Sequence, residues 1–229
     1  MYYYGFDLYY LYLVLPAILL SLFAQIKVKS SFSKYSGRYC QLTGAQAAEA
    51  VLSLNGVYGV RIEPVAGDLT DHFDPRTNVI RLSESVYSAN TIAAVGVAAH
   101  EAGHAVQHAK GYAPIKIRGA ILPICNIGSH LSIPLIIIGM FANFSFLIDL
   151  GIIFFAVALL FQLVTLPVEF NASRRALSAI KQQNLLTMPS DYKGAKSVLT
   201  AAALTYVAAF LVSLMQLIRL IAISNRRRR

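Results

Sequence analysis

Apolar residues fall into four long blocks along the chain, at residues 8–26, 119–141, 147–168 and 197–223. At about 1.5 Å of rise per residue, each block is long enough to cross a hydrocarbon core of about 30 Å, so the pattern predicts four transmembrane helices. Tyrosines crowd the leading end of the first block, as residues of a membrane-interface belt do. The opening MYYYGFD carries no positive charge, and no small-x-small pattern follows the block, so the first helix is expected to be an uncleaved anchor. Only ANFSF separates the second block from the third, which predicts an antiparallel helical hairpin. The second block also holds Cys125, Asn126, His130 and Pro134, polar for a lipid-facing surface, and part of it should face other helices or a site.

Two polar islands interrupt these blocks. The larger, residues 27–118, contains an amphipathic helical stretch, AQAAEAVLSLN, which should end near Gly56. Two alternating runs follow, VYGVRIEPV and TNVIRLS, joined by the turn-rich AGDLTDHFDPR. They predict a small hairpin or sheet in which Ile80 and Leu82 share a buried face and Val79 and Arg81 the opposite one. In the smaller island, residues 168–196, VEFNASRRALSAIKQQ reads as a helix and TMPSDYKG as a turn. The expected division is an anchor (1–26), a soluble α+β domain (27–118), a transmembrane hairpin (119–168), a polar helix (169–196), and a last transmembrane helix with a basic tail (197–229).

Composition supports this pattern. Of 229 residues, 56% are hydrophobic and only 14% charged, too apolar for an ordinary soluble domain. The formal charge of +9 raises the possibility of a nucleic-acid partner, yet the basic residues flank apolar blocks and form no aromatic-interleaved stripe. A lipid bilayer is the expected partner instead, and no nucleic acid. The two cysteines, Cys40 and Cys125, form neither a disulfide framework nor a CxxC clip.

The chemistry concentrates in TIAAVGVAAHEAGHAVQHAK, residues 91–110. His100 and His104 stand one helical turn apart and point the same way, so both can reach one Zn²⁺ at about 2.0–2.1 Å, with Glu101 beside them to act on a metal-bound water. A catalytic zinc site needs a third protein ligand. His108 continues the ladder but lies about 12 Å along the helix from His100, a position suited to supporting the site from outside. His72, in the turn before the second strand, is a candidate for contacting substrate, and His130 lies within a span. Glu169 is the best-placed candidate: it follows Pro167 at the expected start of a polar helix, where a carboxylate gains from the helix dipole. Ser173 shares its face, and Ser173 or Asn171 is placed to support a ligand.

These residues resemble a family, the YugP-like membrane zinc metallopeptidases, akin to the HtpX-like and other gluzincin peptidases. The resemblance covers the anchor, TDHFDPRTNVIRLSESVY, HEAGHAVQH and LPVEFNASRRAL, nearly the whole chain. It implies one Zn²⁺ per chain held by His100, His104 and Glu169, with Glu101 as catalytic base. One departure stands out: many gluzincins place Asp four residues after the glutamate ligand, where this chain has Ser173, a hydroxyl without charge to raise ligand basicity.

The fold class expected is therefore an α-helical membrane protein of about four transmembrane helices with a small α+β zincin-like domain. The expected activity is hydrolysis of peptide or membrane-protein substrates at the membrane surface by a Glu-activated, zinc-bound water, with the strand from Asn78 to Leu82 pairing an extended substrate and His72, Tyr87, Arg174 or Arg175 as candidates to stabilise the oxyanion. Two alternatives are an intramembrane protease of the site-2 type with Asp149 as third ligand, and a non-catalytic scaffold with a structural zinc. Lys and Arg concentrate in the two islands, which places the active site on the cytoplasmic side of a prokaryotic plasma membrane, although Arg226–Arg229 would then lie outside.

Overall fold

A computed structural model describes residues 10–227. The tyrosine-rich leading residues 1–9, and Arg228 and Arg229 of the basic tail, lie outside the described residues. The fold is mostly helical, with four helices among the described residues long and apolar enough to span a membrane: Tyr10–Ser36, Ala113–Phe141, Ser145–Gln182 and Pro189–Arg226. The helix carrying HExxH is not among them. The described residues fall into two compact units, one within residues 1–24, 117–166 and 205–229 and the other within residues 25–116 and 167–204.

The first unit contains the expected hairpin. Helices α5 (Ala113–Phe141) and α6 (Ser145–Gln182) are joined by three residues, with Asn143 in the left-handed region at φ 52°. Their antiparallel pairing is read from close approaches that step in opposite directions: a Cβ on Gly139 would meet Ile148, and one on Gly151 would lie 2.7 Å from Ser132 O. Both Pro123 and Pro134 sit inside α5. The cysteines are free, Cys125 buried and Cys40 partly so.

The second unit holds the polar islands. Helix α2 (Gly44–Leu54) starts at Thr43 because the Thr43 hydroxyl accepts from the Gln46 amide while the Gln46 side chain accepts from the Thr43 amide. Its buried residues Ala47, Ala48, Val51 and Leu52 pack with those of α4 (Ile92–Ala109), whose alanines let the helices approach closely. Ile80 and Leu82, and from further along the chain Ala176, Ala179, Ile180, Ala195 and Leu199, complete this core. Thr91 caps α4 by accepting from the Ala94 amide.

The sheet corrects the simplest strand reading. Strands β1 (Arg61–Val65), β2 (His72–Asp74) and β3 (Val79–Ser83) are ordered β1-β3-β2. The two alternating runs are parallel neighbours, Arg61 opposite Val79, not arms of a hairpin. The segment between them supplies β2, which turns back antiparallel on β3 with Phe73 opposite Ile80. Asp74 holds that turn by accepting from the Arg76 amide and the Thr77 hydroxyl, and these bonds with the Arg81 guanidinium lower its pKa to about 2. As the central strand, β3 buries both Val79 and Ile80, so the expectation of one buried face fails. A short α3 (Glu84–Tyr87) leads on to α4.

The second correction concerns α6, which runs without a break through Pro167. Glu169 is therefore in mid-helix, far from the N-terminus of its own helix. The last helix, α7, spans Pro189–Arg227, and α1 covers Leu15–Ser36 after a π-helical turn at Tyr10–Val14.

Candidate metal centre

The site forms where α4 meets the second part of α6. A Cβ added to Gly103 would lie 2.7 Å from Ala172 O, so only glycine permits the two backbones to come this close. That approach sits one residue before His104 and three residues after Glu169. It delivers two histidines from one helix and a carboxylate from the other to a single point.

Three candidate ligand atoms converge there. His100 Nε2 lies 3.1 Å from His104 Nε2 and 3.2 Å from Glu169 Oε2, and His104 Nε2 lies 3.6 Å from the same oxygen. Ligands about 2.0–2.2 Å from a tetrahedral ion stand about 3.3–3.6 Å from one another, so these separations fit one face of a zinc tetrahedron. Glu169 and His104 are buried and His100 is partly exposed.

The surrounding bonds decide which nitrogens face the convergence point. Fully buried Gln107 donates both amide protons, to Val168 O at 2.8 Å and Asn171 Oδ1 at 3.0 Å. Its oxygen, 3.1 Å from His104 Nδ1, must then accept from that nitrogen, which leaves the His104 Nε2 lone pair facing His100 and Glu169. Arg175 Nε donates to Asn171 Oδ1 at 2.8 Å and extends the chain of bonds by one more residue. On the other histidine, Ser173 Oγ lies 3.1 Å from His100 Nδ1 and accepts its proton in the tautomer that frees Nε2.

With both Nδ1 atoms serving as donors, two imidazole lone pairs and a carboxylate oxygen point at one another. Such a donor set repels itself unless a cation lies among its members, and nitrogen with carboxylate oxygen suits Zn²⁺. Protonation of a histidine is the other way to relieve that repulsion. Burial by itself lowers the His104 pKa, but the Glu169 hydrogen bond and the negative charges of Glu101 and Glu169 outweigh it and raise the pKa.

Glu101 is 9% exposed and accepts no hydrogen bond from another described residue, so its carboxylate is uncommitted beside the convergence point. The other residues singled out from the sequence lie elsewhere. His72 is exposed on β2, its Nδ1 2.7 Å from Thr70 O. His108 is exposed at the end of α4, its ring 5.8 Å from that of Phe73. His130 is exposed on α5. Neither these three nor Asp149 belongs to the His100, His104 and Glu169 group. Gln107 escaped the sequence reading, although its spacing three residues after His104 on the same face was the available signal.

Residues 10–225 match the family model described as "Putative neutral zinc metallopeptidase". The chain belongs to that zinc peptidase family. Among relatives, a protein of Bacillus subtilis (strain 168) described as "Putative membrane protease YugP" is 47% identical over 220 residues, covering 93% of this chain and 96% of that one. No solved structure matches. Membership in the zinc peptidase family agrees with the donor set assembled here, and the four apolar helices agree with a membrane protein.

Proposed function

We propose that this protein is a membrane-bound, zinc-dependent endopeptidase of the gluzincin type, whose second unit is a zincin-like catalytic domain. The observation that carries the reading is the triangle of His100 Nε2, His104 Nε2 and Glu169 Oε2, with edges of 3.1, 3.2 and 3.6 Å. His100, His104 and Glu169 would hold one Zn²⁺ per chain. Bound there, zinc supplies Lewis acidity, polarising a carbonyl and making a water acidic enough to deprotonate near neutral pH.

The chain's own groups do the rest. Glu101 takes the proton from the attacking water and returns it to the leaving amine, a task that requires a carboxylate not already held by hydrogen bonds. Gln107 and Ser173 keep both imidazoles in the tautomer that presents Nε2. Substrate pairing along β3 is ruled out, because both of its edges are occupied by β1 and β2. The exposed edge of β2, from His72 to Asp74, takes over that role for an extended peptide.

Substrates are peptides or membrane proteins. Glu169 follows directly on the apolar stretch of its own helix, which supports hydrolysis at the membrane surface, and charge distribution favours the cytoplasmic side of the plasma membrane. Chelation tests the proposal: purified protein treated with a chelator should lose cleavage of a casein-like unfolded substrate and regain it with stoichiometric zinc. Cleavage that survives complete metal removal contradicts it.

A further inference from the structure

A cavity of about 450 Å³ lies between the second part of α6 and the start of α7, and one of its walls is Ser173, the residue hydrogen-bonded to His100. Its chemistry is one-sided. Arg174 and Lys196 both line it, and among the described residues no carboxylate does. Neither cation forms an ion pair among the described residues, in contrast to Arg38, Arg61 and Arg81, which each have an acidic partner. Phe170, Leu177 and Leu199 add apolar surface to the same cavity.

We propose that this cavity is a substrate subsite that binds a peptide carboxylate, either an acidic side chain or a free C-terminus, through Arg174 and Lys196. The inference rests on the peptidase reading above. Two unpaired cations over apolar walls select a ligand that brings negative charge and some apolar surface, and a peptide residue with a carboxylate brings both. Location bears on the register. Ser173 Oγ lies 3.1 Å from one nitrogen of the His100 ring and the other nitrogen faces His104 and Glu169, so one hydrogen bond and one imidazole ring separate that wall of the cavity from the reacting centre. An extended peptide advances about 3.3 Å per residue, which places the bound residue about two positions from the bond being cleaved.

The test uses the full-length, zinc-loaded protein in neutral detergent and internally quenched peptides differing only by Glu or Gln at each of the three positions flanking the cleaved bond. In wild type, the peptide with Glu about two positions away should have a KM about fivefold lower than its Gln counterpart, with kcat little changed. The double substitution Arg174→Gln with Lys196→Gln should erase that difference, so that the Glu and Gln peptides share one KM. Peptides ending in a free acid or an amide separate the C-terminal source of the carboxylate from the side-chain source. Equal KM values in wild type, or a preference that persists in the double variant, overturn the proposal. So does loss of the Glu preference in phosphatidylglycerol nanodiscs with its retention in phosphatidylcholine nanodiscs, which would make the cavity a lipid head-group site.

Failure of the peptidase reading looks different: no peptide is cut, or Glu101→Gln cuts as fast as wild type. Fluorescence anisotropy with Glu101→Gln protein and the labelled peptide pair then decides the subsite independently. Tighter binding of the Glu peptide, lost on adding the two substitutions, supports it, and equal affinities contradict it.

Discussion

Gln107 Oε1 lies 3.1 Å from His104 Nδ1, and both protons of the same amide are spent on Val168 O and Asn171 Oδ1. The amide therefore has no freedom to turn, and it fixes which nitrogen of His104 is available to a metal. Gln107→Leu keeps approximate size but removes the acceptor and strands Asn171 and Val168 without their donor. Zinc affinity, measured by competition with a chromogenic chelator, should fall about 10–100-fold. Gln107→Glu, which retains an acceptor toward His104, should lose less. Unchanged affinity in Gln107→Leu would show that the amide plays no part in presenting the ligand.

Close approach of α4 and α6 at Gly103 should matter as much as the ligands themselves. A methyl group at Gly103 meets Ala172 O at 2.7 Å, against backbone that has no side-chain rotation with which to yield. Gly103→Ala should cost about 1–3 kcal/mol of stability and, by separating His104 from Glu169, weaken zinc binding. Gly119→Ala is the control, since nothing lies within 4 Å of the added atom. Thermal denaturation and metal content of the two variants should diverge; equal behaviour would mean that the helices move apart without consequence.

Much of this arrangement was legible in the sequence. The apolar blocks, the short ANFSF link and the HExxH spacing are local signals, and each is matched by an element in the fold. Pro167 reads in the sequence as a helix start, yet it lies within α6, so Glu169 owes its place to the interior of a helix and not to a helix N-terminus. Proline removes one backbone donor, and an apolar helix tolerates that loss when its flanking turns remain intact. The parallel pairing of β1 and β3 was hidden because alternation encodes which face is buried and not which neighbour, or which direction, a strand takes. Gln107 was hidden for a related reason: its worth depends on Val168 and Asn171, over 60 residues away, where no local pattern reaches.

Substitution of the two acidic candidates separates the proposed site from an intramembrane one. Glu169→Ala removes one corner of the ligand triangle and leaves two facing imidazoles, so zinc content should fall well below one per chain. Asp149→Asn should keep zinc and cleavage near wild type. The reverse pattern, zinc lost with Asp149 and kept without Glu169, would transfer the third-ligand role to Asp149.

The central claim is that His100, His104 and Glu169 hold zinc while Glu101 moves the proton. The most direct measurement is zinc content and proteolysis of wild type beside Glu101→Gln, purified identically. Glu101 is no member of the ligand triangle and accepts no bond from another described residue, so its amide should leave zinc at about one per chain. Cleavage should fall by at least about 10²-fold, the usual scale of general acid–base catalysis. Full zinc with activity undiminished would contradict the account.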